Sequence, residues 1–161
     1  MILAIDPGPE QSAFVLYDEN DRDFVQGEKL DNATLLSLCR DRVLDPFGGA
    51  APVIEMIASY GMPVGREVFE TCVWIGRFME ALDRPHVLVY RREVKLHLCG
   101  SMRAKDGNVR QALIDAFGGK DKAIGKKKTP GPLYGVSGDV WAALAVAVTY
   151  ADRTEQARSA A

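Results

Sequence analysis

The chain has 161 residues and a mass of 17.6 kDa, which fits a single domain able to bury its own core without staples. Hydrophobic residues make up 47% and charged residues 26%, which excludes intrinsic disorder. The net charge is −2, and the longest nearly apolar run, Trp141 to Ala151, is about half a membrane span, so no membrane-spanning helix is expected.

Ile2 to Ile5 is a short apolar strand, stopped by Asp6-Pro7-Gly8. Asp6 also interrupts the stretch that a secretory leader would need to keep apolar. Ala13–Tyr17 and Phe24–Leu30 read as the next two strands, with turn chemistry at Asp18-Glu19-Asn20-Asp21 between them. Asp31 or Asn32 can cap a helix from about Ala33 to Leu44, with Leu35, Leu36, Cys39 and Val43 on one face. A loop over 46–51 leads to an apolar strand, Pro52–Ala58, broken only by Glu55. A turn at Tyr60-Gly61-Met62-Pro63 opens a long helix, Gly65–Leu82. His86–Tyr90 reads as a further strand and Glu93–Leu98 as a short helix. Asp106 or Asn108 starts an amphipathic helix with Val109, Leu113, Ala116 and Phe117 inward, ending at Gly118-Gly119. Residues 118–132 read as a flexible basic loop. A helix from near Asp139 to Tyr150 is apolar nearly all round, hence buried, and the small polar tail, 153–161, is expected to fray. Three antiparallel strands followed by alternating helices and strands give an α/β domain over residues 1–152 with a mixed five-stranded sheet. The three cysteines, Cys39, Cys72 and Cys99, are far apart and odd in number, so a reduced, cytoplasmic protein is expected.

Charge is unevenly placed. Residues 84–128 hold 12 Lys/Arg against 4 Asp/Glu, while the remainder holds 8 against 18. A basic face for a polyanion on an acidic body fits that asymmetry, as does an ordinary solvated surface. Lys120, Lys122, Lys126, Lys127 and Lys128 lie in a Gly-rich segment that can follow a phosphate backbone, and Arg91, Arg92, Lys95, Arg103, Lys105 and Arg110 extend the track. His97-Leu98-Cys99 lacks zinc-site spacing.

Three carboxylates stand in apolar settings. Asp6 ends the ILAI strand, Glu55 lies inside PVIEMIA, and Asp139 opens DVWAALAVAV. Taken singly, Asp6 also reads as a turn residue, Glu55 as a solvent-facing edge residue and Asp139 as a helix cap. Burying an unpartnered carboxylate costs several kcal/mol, so acids in such contexts are usually paired or bound to cations. Sites in open α/β sheets form at the carboxyl ends of strands, and oxygen ligands of this kind suit Mg²⁺ or Mn²⁺. Two such ions can activate a water and clamp a scissile phosphate.

AIDPG at a strand end, VIE followed by an aromatic and a long helix, and an acid opening an Ala-rich terminal helix resemble the RuvC-type Holliday-junction resolvases of the RNase H-like superfamily. The segments SYGMPVG, AKDGNVRQAL and YGVSGDVWAALAVAV look most like its phage and prophage branch. The resemblance spans about residues 2–150. It implies an RNase H-like sheet flanked by helices, two Mg²⁺ or Mn²⁺ ions held by Asp6, Glu55 and Asp139, and endonucleolytic cleavage of branched DNA by a homodimer. The family carries a second acid one turn further along its last helix, where this chain has Ala142. Asp106 is the acid that could take its place, and equally reads as a helix cap. A nuclease-inactive module that binds branched nucleic acid is the alternative. Tyr60, just beyond the Glu55 strand, is placed to stack on an unpaired base or to pack in its turn. Arg103, Lys105, Lys126, Lys127 and Lys128 are the expected phosphate contacts. Val68, Ile75, Phe78 and Met79 on the long helix are the expected dimer face.

Overall fold

The computed structural model describes residues 1–45 and 48–160. Its centre is β1 (Ile2–Asp6), an apolar strand buried on both faces until its last residue. β2 (Gln11–Asp18) folds back antiparallel on β1, and β3 (Asp23–Asp31) antiparallel on β2. The turn between them is closed by Asp18 Oδ1, which accepts the backbone N–H groups of Asn20 and Asp21. β4 (Ala51–Met56) and β5 (Val87–Tyr90) continue the sheet in parallel, giving the order β3-β2-β1-β4-β5. Parallel neighbours need crossovers, supplied by α1 (Asn32–Arg40) before β4 and α2 (Arg66–Leu82) before β5. The mixed five-stranded sheet expected from the sequence is the one observed.

Strand alternation sorts the core into two layers. Leu3, Ile5, Phe14 and Ile54 face α1 and α2, where Leu35, Ile75 and Phe78 meet them. Ile2, Ala4, Ala13, Val15 and Val53 face the last helix, α6 (Val140–Ser159). α6 carries Leu144, Val146 and Val148 over that layer, which explains its nearly all-apolar sequence. α3 (Arg91–Cys99) and α4 (Asp106–Ala116) lie between β5 and α6. No helix among the described residues is long and apolar enough to cross a membrane.

Several expectations are corrected. The segment 118–132 is not a featureless loop. It contains α5 (Lys120–Ala123) and a small hairpin of β6 (Gly125–Lys126) and β7 (Thr129–Pro130). Ala123 and Leu133 are fully buried and bonded to each other through the backbone, Leu133 N–H to Ala123 C=O at 2.8 Å. At Gly131 a side chain would collide with the carbonyls of Lys122 and Ala123, so glycine lets the chain close there. The tail also differs, because α6 runs through Ser159. Within it Glu155 accepts from Arg22 Nη1 and Arg153 Nη1 donates to Glu93, each at 3.1 Å, just beyond Asp152, which pairs with Arg22 and His97. Residue 161 and the Pro46–Phe47 part of the expected 46–51 loop lie outside the described residues.

The face expected to join two copies is likewise different. Ile75 and Phe78 belong to the core, at 2% and 0% exposure, and so cannot form an interface. The outward apolar residues of α2 are Phe69 and Val73, with Met62 and Val64 just before the helix. In α1 the helix stops at Arg40, and Val43 faces solvent. In α4, Ile114 rather than Ala116 joins Val109 and Leu113 in the core.

Candidate functional site

Three neighbouring parallel strands end at one edge of the sheet, and each delivers a charged residue there. Ile5 is paired with Ile54, so Asp6 and Glu55, the next residues of β1 and β4, emerge side by side. Both share strand parity with Ala4 and Val53, so both point to the α6 layer. Met56 is paired with Tyr90, and Arg91 follows at once as the first residue of α3.

The backbone beyond Asp6 is braced by a buried polar network that sequence reading did not single out. Ser12 Oγ donates to Asn32 Oδ1 at 2.6 Å and accepts from Gly8 N–H at 3.2 Å, and Asn32 Nδ2 donates to Gly8 C=O at 2.9 Å. Gly8 approaches the Gln11 carbonyl too closely to carry a side chain. The Pro7-Gly8 turn is thus part of how Asp6 is held, and Asn32 is a brace while Asp31 caps α1 through Thr34 N–H.

Burial and the neighbouring Glu55 push the Asp6 carboxyl from 3.8 up to about 8. Burial also raises Glu55, with the Arg91 guanidinium and the hydrogen bond from Asp6 pulling it back down. Arg91 Nη1 lies 3.4 Å from Glu55 Oε2, and Nη2 lies 2.6 Å from Asp106 Oδ1. The Arg91 hydrogen bond holds Asp106 below the ordinary carboxylate range, and Lys95 Nζ stands 3.7 Å from the same oxygen. Asp106 is thus engaged by Arg91 and Lys95 rather than in a cap of α4. Asn108 takes the capping contact, accepting Lys105 N–H at 2.9 Å.

Asp139 sits just before α6, makes no capping hydrogen bond, and pairs with Lys29 Nζ at 2.7 Å. Its charge contributes to the upward shift of Asp6. The structure thus brings Asp6 and Glu55 together and holds Asp139 on Lys29. Among the described residues no three acids, histidines or cysteines form a ready metal cage. An open groove of about 660 Å³ runs alongside, lined by Gly8, Pro9, Lys29, Arg66, Glu67 and Asp139.

The expected nucleic-acid contacts are spread more widely. Tyr60 is 53% exposed in a left-handed turn conformation (φ 46°), with the Arg92 guanidinium 5.5 Å over its ring. Arg103 and Lys105 are exposed before α4, and Lys126, Lys127 and Lys128 are exposed at the end of the hairpin. Two other basic residues of the 84–128 stretch are engaged within the protein: Arg84 pairs with Asp45, and Arg110 lies 4.9 Å over the Trp141 ring.

Half-buried Asp6 and buried Glu55, side by side, form an all-oxygen donor pair whose ionised forms burial and mutual repulsion disfavour, the setting a hard divalent cation relieves. Asp6 and Glu55 would suit such an ion, while Asp139, paired with Lys29, is not gathered with them among the described residues.

No family model matches the sequence, and no curated protein matches it. Among solved structures, Thermus thermophilus RuvC aligns at a TM-score of 0.66 and 19% identity, covering 97% of this chain and 96% of that one. T. thermophilus RuvC in complex with Holliday junction substrate aligns at 0.67 and 18% identity, covering 97% and 95%. The likeness runs the length of both chains and establishes a RuvC-like, RNase H-type fold.

Proposed function

We propose that this protein is a divalent-metal-dependent endodeoxyribonuclease that cleaves branched DNA, Holliday junctions foremost. The observation that carries the reading is the pair of neighbouring carboxylates, half-buried Asp6 and buried Glu55, at the carboxyl edge of the central strands. It stands in a fold that matches, end to end, a protein solved with a Holliday junction.

Asp6, Glu55 and Asp139 would hold Mg²⁺ or Mn²⁺, two ions by this reading. Bound there, such ions lower the pKa of a water and neutralise charge on the phosphate being cleaved. The chain's own residues do the rest. The parallel register sets Asp6 beside Glu55 before any ligand arrives, leaving the Asp6 proton and the Arg91 contact as what an ion would displace. Asp139 joins by leaving Lys29, which then faces the groove with a free ammonium for a DNA phosphate. Lys126, Lys127, Lys128, Arg103 and Lys105 bind the backbone without reading sequence, and Tyr60 offers a face for an unpaired base. Two symmetrical nicks need two sites, so a homodimer is proposed, joined through the exposed Phe69 and Val73 of α2.

The test is Mn²⁺-dependent cleavage of a synthetic four-way junction. Asp6→Asn, Glu55→Gln and Asp139→Asn should each abolish nicking while leaving junction binding intact or tighter, because each removes negative charge near the phosphates. The second reading, a nuclease-inactive junction-binding module, is favoured by the Lys29–Asp139 pair and by Ala142. It wins if the wild-type chain binds the junction and never cuts it.

A further inference from the structure

Arg91 is an unusual neighbour for a carboxylate that is to bind a cation. It is the first residue of α3, directly after β5 and beside β4, so its guanidinium stands within reach of Glu55. Glu55 is nearly enclosed, with its side chain 6% exposed, and that of Arg91 is 29% exposed. A guanidinium free to choose would take both Glu55 oxygens in a two-pronged contact. It does not. It reaches one oxygen at 3.4 Å, while its other nitrogen is drawn to Asp106 at 2.6 Å. Asp106 belongs to the first turn of α4, a different element from the strand that carries Glu55, so Arg91 is shared between the two carboxylates. Lys95, one turn along α3, shares Asp106 at 3.7 Å but does not contact Glu55.

We infer that Asp106 is a positioning residue that holds Arg91 back from Glu55, and that the Arg91–Asp106 pair thereby sets how strongly Glu55 binds a divalent cation. The inference rests on the proposed metal site and adds to it a built-in competitor and its restraint. With the restraint in place, Glu55 keeps an oxygen for the ion. With Asp106 neutralised, Arg91 closes on Glu55 and competes with the ion for the same lone pairs. The acid that sequence reading weighed as a substitute ligand then acts on the ion only through the arginine.

The experiment is Mn²⁺ binding to the full-length chain, followed by titration calorimetry and by the loss of the free-ion signal in electron paramagnetic resonance. Circular dichroism melts confirm that each variant is folded. Asp106→Asn should weaken Mn²⁺ binding about tenfold or more, the range seen when an outer-shell partner is removed. Arg91→Gln together with Asp106→Asn should restore affinity to within about threefold of wild type, since the competitor is gone. Lys95→Met with Asp106→Asn restores the same net charge without freeing Glu55, and should stay as weak as Asp106→Asn alone. If the Arg91 double variant stays weak, Asp106 is itself a ligand and the inference fails. If both double variants recover equally, net charge alone is acting and it also fails. Unchanged binding in Asp106→Asn overturns it as well. Glu55→Gln separates the two levels. Mn²⁺ binding that survives it, or that is absent from wild type, removes the metal site and the inference together. Binding abolished in Glu55→Gln but kept in Asp106→Asn removes the inference alone.

Discussion

Replacing Asp6 with Asn should stabilise the metal-free protein while destroying its activity. Asp6 loses its proton near 3.8 in the unfolded chain and near 8 in the fold. Between those values the native state holds a proton that the unfolded state has released, so stability falls as pH rises from about 4 to about 8. Each pH unit across that window costs about 1.4 kcal/mol, so at neutral pH the penalty has a ceiling of about 4 kcal/mol. The asparagine carries no such proton, and its amide can still donate to Glu55. It leaves one buried polar group to satisfy, so the net gain is set at about 2 kcal/mol. For a chain of this length that is a rise in melting temperature of about 5 °C. The assay is thermal unfolding in EDTA across about pH 5 to 8, wild type against Asp6→Asn, repeated with Mn²⁺. The two curves should diverge as pH rises, and Mn²⁺ should raise wild type far more than the variant. Curves that stay parallel across the window would show that Asp6 is not strained in the apo fold, and the argument for a cation there would lose its physical basis.

Three further outcomes follow from the geometry. Asp139→Asn should change stability by less than about 1 kcal/mol, because its ion pair with Lys29 is solvent-exposed, yet abolish junction nicking; melts and gel assays check both. Val73→Glu or Phe69→Glu should yield monomers by light scattering with an unchanged melting temperature, whereas Phe78→Ala should cost about 3–5 kcal/mol of stability because it empties the core. Replacing Lys126, Lys127 and Lys128 together with Ala should weaken junction binding and lower the salt slope by about 0.9 for each phosphate no longer neutralised, read from affinities across a salt series.

The strands and the two sheet acids were legible because their signals are local. An acid inside PVIEMIA or ending ILAI contradicts its surroundings, and such a contradiction is visible without a partner. The α6 core face was equally plain, since an all-apolar helix has nowhere to go but inside. The pairings were not legible. Arg91 reads as one basic residue of a run, and its contact to Glu55 arises only because β5 lies beside β4. The Lys29–Asp139 pair joins residues at opposite ends of the chain. The β6–β7 hairpin has no apolar alternation and depends on the close approach at Gly131, which composition does not reveal. In the α6 extension, TEQAR is made largely of good helix formers, and Arg22 reaches Glu155 within it. Helical spacing alone does not say which side of α2 the sheet covers, so its inward and outward apolar residues are told apart only in the fold.

The parallel register of β1 and β4 also dictates where this gene can gain or lose codons. One residue inserted between Ile2 and Asp6 reverses the facing of every side chain beyond it, turning the carboxylate towards Leu35 and Phe78 and an isoleucine towards the groove. The same holds for Ala51–Glu55 on β4. The turn at Glu19–Asp21, at the far end of the hairpin, sets no facing for the acids, provided that Arg22 beside it still reaches Asp152. Length variation can accumulate there, while the two short strands that present the acids must be inherited with their residue count intact.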